Sequence, residues 1–175
     1  DRQIRQDYSR LFAKRESNAR TNGDLEAAEL FELLQNLMFP YFNLDSDGSP
    51  FPNLPEMEQE NLETLAEVFE EFSDAELRAR IGDVLWLHDD RVENGYQFAL
   101  QAIGAYLESA RRLEGEFQNQ ETLSRMRRAA QLAVALNNDE KKAAVRDAVG
   151  EKVEHHAAAE EGRLAEQFSR VLYEN

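Results

Sequence analysis

Apolar residues return every third or fourth position along most of this chain, which is the period of an α-helix and not the alternation of a strand. Ile4, Tyr8, Leu11 and Phe12 form the first such stripe. The run Thr21, Asn22, Gly23, Asp24 interrupts it and supplies a cap for the next helix. Leu30, Phe31, Leu33, Leu34, Leu37 and Met38 then crowd much of the second helix's circumference, a pattern that predicts burial or pairing, and Pro40 closes it. All four prolines, Pro40, Pro50, Pro52 and Pro55, fall in one window, so helix is free to form on either side of it. Residues 40–54 read as one long irregular connection carrying Tyr41, Phe42, Leu44 and Phe51.

Beyond that connection a third helix is predicted to start near Pro55 and to bury Leu62, Leu65, Phe69 and Phe72. Ser73 to Glu76 reads as a capping box for a fourth helix, with Leu77, Ile81, Val84, Leu85 and His88 on one stripe. Asp89 to Gly95 makes a turn, and a fifth helix aligns Tyr96, Ala99, Ile103, Tyr106, Ala110 and Leu113. A sixth carries Leu123, Met126, Ala130, Ala133 and Leu136 and stops at Asn137, Asn138 and Asp139. The seventh carries Ala144, Val145, Ala148, Val149, Val153 and Ala157. Gly162 either separates it from a last helix with Leu164, Phe168, Val171 and Leu172 or sits inside one longer helix. The prediction is an all-α fold of seven to eight antiparallel helices in stacked pairs, as a bundle or a short tetratricopeptide-like solenoid. Residues 1–175 form a single helical domain in this reading: a helix pair over 1–39, the aromatic connection over 40–54 and a helical stack over 55–175.

Composition narrows the function classes. Thirty-five acids against twenty bases leave a net charge of −15, opposite to a phosphate-binding footprint, so nucleic acid is a poor default partner. Acids cluster from Glu56 to Glu76, whereas the first twenty residues are net basic; both read as solvated faces, the alternative being that the first helix lies against the acidic one. Cysteine is absent, which removes disulfides and thiolate chemistry and suits a cytoplasmic setting. No apolar run reaches transmembrane length. The first residue is Asp1, and the expectation is that the chain belongs to a longer protein.

The segment AELRARIGDVLWLHDD, with YQFALQAIGAYLESARRLE and SRMRRAAQLAVAL after it, is the most distinctive in the chain. Over residues 75–136 it resembles the helical N-terminal region of a family of uncharacterised bacterial proteins, a domain of unknown function. The matching residues are Ala79, Arg80, Ile81, Asp83, Leu85 and Trp86, then Ala99, Ala102, Ile103, Tyr106 and Leu107. In such proteins this region is often followed by a domain resembling HEPN ribonucleases, marked by Arg, four to six residues, then His. That motif is lacking here: Arg80 stands too far ahead of His88, and neither Arg146 nor Lys152 supplies it for His155. The resemblance therefore implies the scaffold part, with no catalytic residue assigned.

Four groups of residues invite a chemical reading. Asp45, Asp47 and Glu56 occupy positions 1, 3 and 12 of a calcium loop, but Pro50 stands where that loop needs glycine, so an ordinary turn is preferred. Glu151 with His155, and His156 with Glu160, can each share a helix face, yet zinc needs three or four ligands and these read as exposed helix-end residues. Arg80, Asp83 and Trp86 form a polar cluster beside a buried stripe and read as structural, with Asp83 bonded to Arg80 or to a base on another helix. Phe39, Tyr41, Phe42 and Phe51 read as a partner-binding surface or, alternatively, as a plug for the core. No metal or cofactor is called for.

The functional expectation is a non-catalytic interaction or regulatory module of a bacterial cytoplasmic protein, of a defence or stress type. Its partner is a protein, an adjacent domain of the same chain, or a second copy of it. The competing readings are a small metal- or nucleotide-dependent enzyme using the acidic helix and the His155 region, and a degenerate HEPN-type ribonuclease.

Overall fold

A computed structural model describes residues 2–38, 56–71, 74–113 and 118–173. The fold is all-α: the described residues form eight helices and no strand. They are α1 (Arg2–Thr21), α2 (Leu25–Met38), α3 (Gln59–Glu71), α4 (Ala75–Leu87), α5 (Gly95–Arg112), α6 (Asn119–Ala135), α7 (Asp139–Ala158) and α8 (Gly162–Tyr173). The chain resolves into two compact units, residues 1–61 and residues 62–175.

In the first unit α1 and α2 form a hairpin whose turn is written in four residues. Gly23 takes the left-handed conformation, φ +76°, which costs glycine little. Asp24 then accepts a bond from the Ala27 amide at 3.1 Å, capping α2. Ala28, Leu34 and Met38 are buried on α2, but Leu25 and Leu33 are exposed, so the helix is covered on one side and not all round as its apolar crowding predicts. Arg20 bridges the hairpin, bonding Glu16 on its own helix at 2.8 Å and Glu32 on α2 at 3.2 Å. Both acids hold the Arg20 guanidinium above its ordinary pKa, the Glu16 hydrogen bond contributing most.

In the second unit α4 to α8 pack mainly against their neighbours in sequence, and Phe69 of α3 meets Phe98 of α5 edge to face, ring centroids 5.0 Å apart. The α4 start is capped by Asp74, whose carboxylate accepts the Leu77 amide at 3.0 Å; the cap therefore sits one residue later than the Ser73 box predicts. The third helix likewise starts at Gln59, four residues past the expected proline start. From Ala79 to Leu85 every residue of α4 is buried, Arg80 and Asp83 included. Gly82 makes this enclosure physical: a Cβ there would lie 2.9 Å from the Phe98 carbonyl and 3.0 Å from the Phe69 ring. Nothing larger than glycine fits where α4 meets α5.

Ala102, Ile103, Tyr106 and Ala110 of α5, Met126, Ala129 and Ala133 of α6, Val145, Ala148 and Val149 of α7, and Phe168 and Val171 of α8 share the main core. Asn138 caps α7 by accepting the Lys141 amide at 2.9 Å. Gly162 does open a separate helix, but the left-handed residue that breaks the chain there is Glu160, φ 61°.

Candidate functional site

The densest constellation of buried charge lies between α4, α5 and α6, around a single carboxylate. Asp83 of α4 is fully buried. The Tyr106 hydroxyl of α5 donates to its Oδ2 at 2.7 Å. Arg128 of α6 donates twice, Nε to Oδ2 at 2.7 Å and Nη2 to Oδ1 at 2.6 Å. This two-pronged arrangement is the strong, geometrically specific form of carboxylate recognition. Arg128 also reaches Gln131 Oε1 at 3.3 Å, one turn along its own helix.

Arg80, one turn before Asp83 on α4, is buried with its guanidinium 5.2 Å from the Tyr106 ring centroid, within cation–π range. A second clamp runs parallel to the first: Arg125 of α6 donates to Glu76 of α4 at 2.8 Å, and Glu121 lies 3.6 Å from the same guanidinium. Arg125 and Arg128 are three apart on α6, Glu76 and Asp83 seven apart on α4, so each pair shares a helix face. Trp86 is partly buried and packs against the core that holds Ile103 and Tyr106.

Chemically, this site is a fastener. Three donors from two other helices converge on the Asp83 carboxylate, two of them from a cation, which offsets the cost of burying its charge. Sequence alone points to Arg80, Asp83 and Trp86 and puts Tyr106 on the fifth helix's stripe, but it does not pair Tyr106 or Arg128 with Asp83 and does not find the Arg125–Glu76 clamp. Those partners stand 23 to 49 residues away in the chain, and no local pattern connects them.

The histidines separate. His155 is exposed, but His156 is buried, contrary to its reading as a helix-end surface residue. Its ring stacks on Phe168 of α8, centroids 5.2 Å apart and planes within 13°. Nδ1 lies 2.5 Å from Glu161 Oε2, so the partner is Glu161 and not Glu160. Glu151, paired on paper with His155, instead meets Arg111 of α5 at 3.3 Å. His88, at the end of α4, is buried; desolvation pushes its pKa below the usual imidazole value, Arg91 adds to this and Asp90 opposes it.

Phe39, Tyr41, Phe42 and Phe51 lie outside the described residues, as do Asp45 and Asp47 of the calcium reading; Glu56 is exposed. Among the described residues no group of three or more His, Cys, Asp or Glu is placed to hold a metal ion. No described helix is long and apolar enough to cross a membrane. The family described as Domain of unknown function (DUF7380) matches residues 1–145, and the chain belongs to that family. No curated protein and no solved structure matches the chain.

Proposed function

We propose that this family member is a non-catalytic helical interaction module, which presents its surface to a protein partner or to an adjacent domain. The observation that supports it is the fate of the distinctive segment's polar groups. Asp83 is spent on Tyr106 and Arg128, and Glu76 meets Arg125, so these groups join helices and specify how α4, α5 and α6 sit. Well-satisfied buried polar networks rigidify a fold. Outside the core, Tyr96, Val134 and Tyr173 are exposed apolar groups on the same unit, material for contact with another chain. The proposal includes a bacterial, cytoplasmic setting and service as the accessory part of a larger protein, with a HEPN-like ribonuclease as the neighbouring domain. The net charge of −15 supports a protein contact over direct RNA binding.

The test uses the purified chain and a variant with Tyr41→Ser and Phe42→Ser. Chemical crosslinking in extract of the source cells, followed by titration of the recovered protein, is expected to give a saturable complex. The double variant is expected to lose that complex while keeping its melting temperature. A stoichiometric transition metal that survives dialysis, or turnover of single-stranded RNA by the chain itself, overturns the reading. A melting temperature several degrees lower with association intact returns those rings to the core.

A further inference from the structure

Where α6, α7 and α8 meet, the surface dips into a hollow of about 180 Å³. It is lined by Ala130, Ala133 and Val134 of α6, Val145 of α7, and Val171 and Leu172 of α8. The hollow exists because α6 presents alanine at two successive turns, leaving room that a larger side chain would fill. Val134 keeps 49% of its surface exposed at the edge. Lys142 and Arg146 complete the lining; four apart on α7, they stand on one face of the helix.

We propose that this hollow is a docking site for an acidic polypeptide segment, which inserts one apolar side chain while its carboxylates meet Lys142 and Arg146. The proposal rests on the interaction-module reading and deepens it by naming a surface and the chemistry of its partner.

Size argues for an anchor side chain. Pockets for drug-sized ligands and cofactors run from roughly 300 to 1,000 Å³, so 180 Å³ is too small for one and suits a single buried anchor of the kind that dominates protein interfaces. Charge argues for the anchor's neighbours. The chain as a whole carries −15, yet two cations, Lys142 and Arg146, are among the residues that line the hollow, and they repel a basic segment and draw an acidic one. Arg146 is exposed, and its planar guanidinium suits a carboxylate. Among the described residues Lys142 meets Asn137 Oδ1 at 2.8 Å and the exposed Asp139 carboxylate at 3.3 Å, a pairing weak enough to yield to an incoming acid.

The experiment is fluorescence anisotropy at 0.15 M salt with a fluorescein-tagged nonapeptide of eight glutamates around a central leucine. Saturable binding is expected, weakened about tenfold or more when the leucine becomes serine. A similar loss is expected in Arg146→Glu and in Val134→Asp, both surface changes whose folding is checked by circular dichroism; Arg146→Gln, with an intermediate loss, guards against a folding defect. Equal binding of the serine peptide overturns the proposal, because charge alone then suffices. Displacement of the peptide by decanoate at lower concentration than by unlabelled peptide also overturns it, in favour of an anionic amphiphile. So does self-association of the unliganded chain that Val134→Asp abolishes, which makes a second copy the occupant. A partner complex that depends on Tyr41 and Phe42 but is untouched by Arg146→Glu overturns the hollow and leaves the module reading standing.

Discussion

Replacing Asp83 by alanine removes the centre of the α4–α5–α6 fastener. Three hydrogen bonds disappear, at 2.7, 2.7 and 2.6 Å. Bonds to charged groups are worth about 1.5–3 kcal/mol each, so simple addition gives about 4.5–9 kcal/mol. The wild-type carboxylate, however, already bears a desolvation cost of several kcal/mol that the variant escapes. Against this, the variant strands Arg128, whose side chain is 14% exposed, without its carboxylate. The net expectation is a loss of about 3–5 kcal/mol, the range for breaking one partner out of a buried pair. Urea unfolding followed by Trp86 emission measures it, since Trp86 is the chain's one tryptophan and packs on the same core. The double variant Asp83→Leu with Arg128→Met is expected to recover most of the loss, because two apolar groups leave no charge unmatched. A loss below about 1 kcal/mol in Asp83→Ala, or a double variant no more stable than the single one, refutes the reasoning.

Gly82→Ala and Gly104→Ala should move stability in opposite directions. Alanine at position 82 collides with Phe98, Phe69 and Ala102 at 2.9–3.1 Å, costing about 1–3 kcal/mol of overpacking against a helix-propensity gain of about 1 kcal/mol. At position 104, with nothing within 4 Å, the same change should stabilise by about 0.5–1 kcal/mol; equal urea midpoints would contradict the close approach of α4 and α5. His88 has a folded pKa below its ordinary value of 6.5, so the unfolded chain binds its proton first and stability falls as pH drops through about 6.5 toward the folded value. Urea midpoints at pH 7.5 and 5.5 should therefore differ less in His88→Gln than in wild type. Trp86 emission should be blue-shifted and resistant to acrylamide, since the ring packs against the core; a red-shifted, readily quenched emission would contradict that packing.

Much of the architecture was legible in one dimension. The all-α class follows from a 3.6-residue period with no strand-like alternation, and the hairpin turn follows from Gly23 and Asp24, because capping and left-handed geometry are local chemistry. Local chemistry also explains the small misses. Ser73 and Asp74 are both good caps by residue type, and it is Asp74 that accepts the Leu77 amide. Gly162 is the residue that looks like a breaker, yet Glu160 takes the left-handed position, and past that turn Phe168 of α8 stacks on His156 of α7.

What the chain's pattern determined alone is periodicity, capping and the absence of cysteine chemistry, all of which act over a few residues. It marked Asp83 as a polar group beside a buried stripe, but could not name Arg128, 45 residues away. It read α4 as an amphipathic helix, whereas α4 is enclosed from Ala79 to Leu85, because neighbours on several sides cover faces that periodicity leaves to water. It assigned His155 and His156 one fate, and packing gave them two. Which acids meet which bases, which glycine touches a neighbouring backbone and where alanines leave a hollow between α6, α7 and α8 are properties of surfaces brought together, and only the tertiary structure decided them.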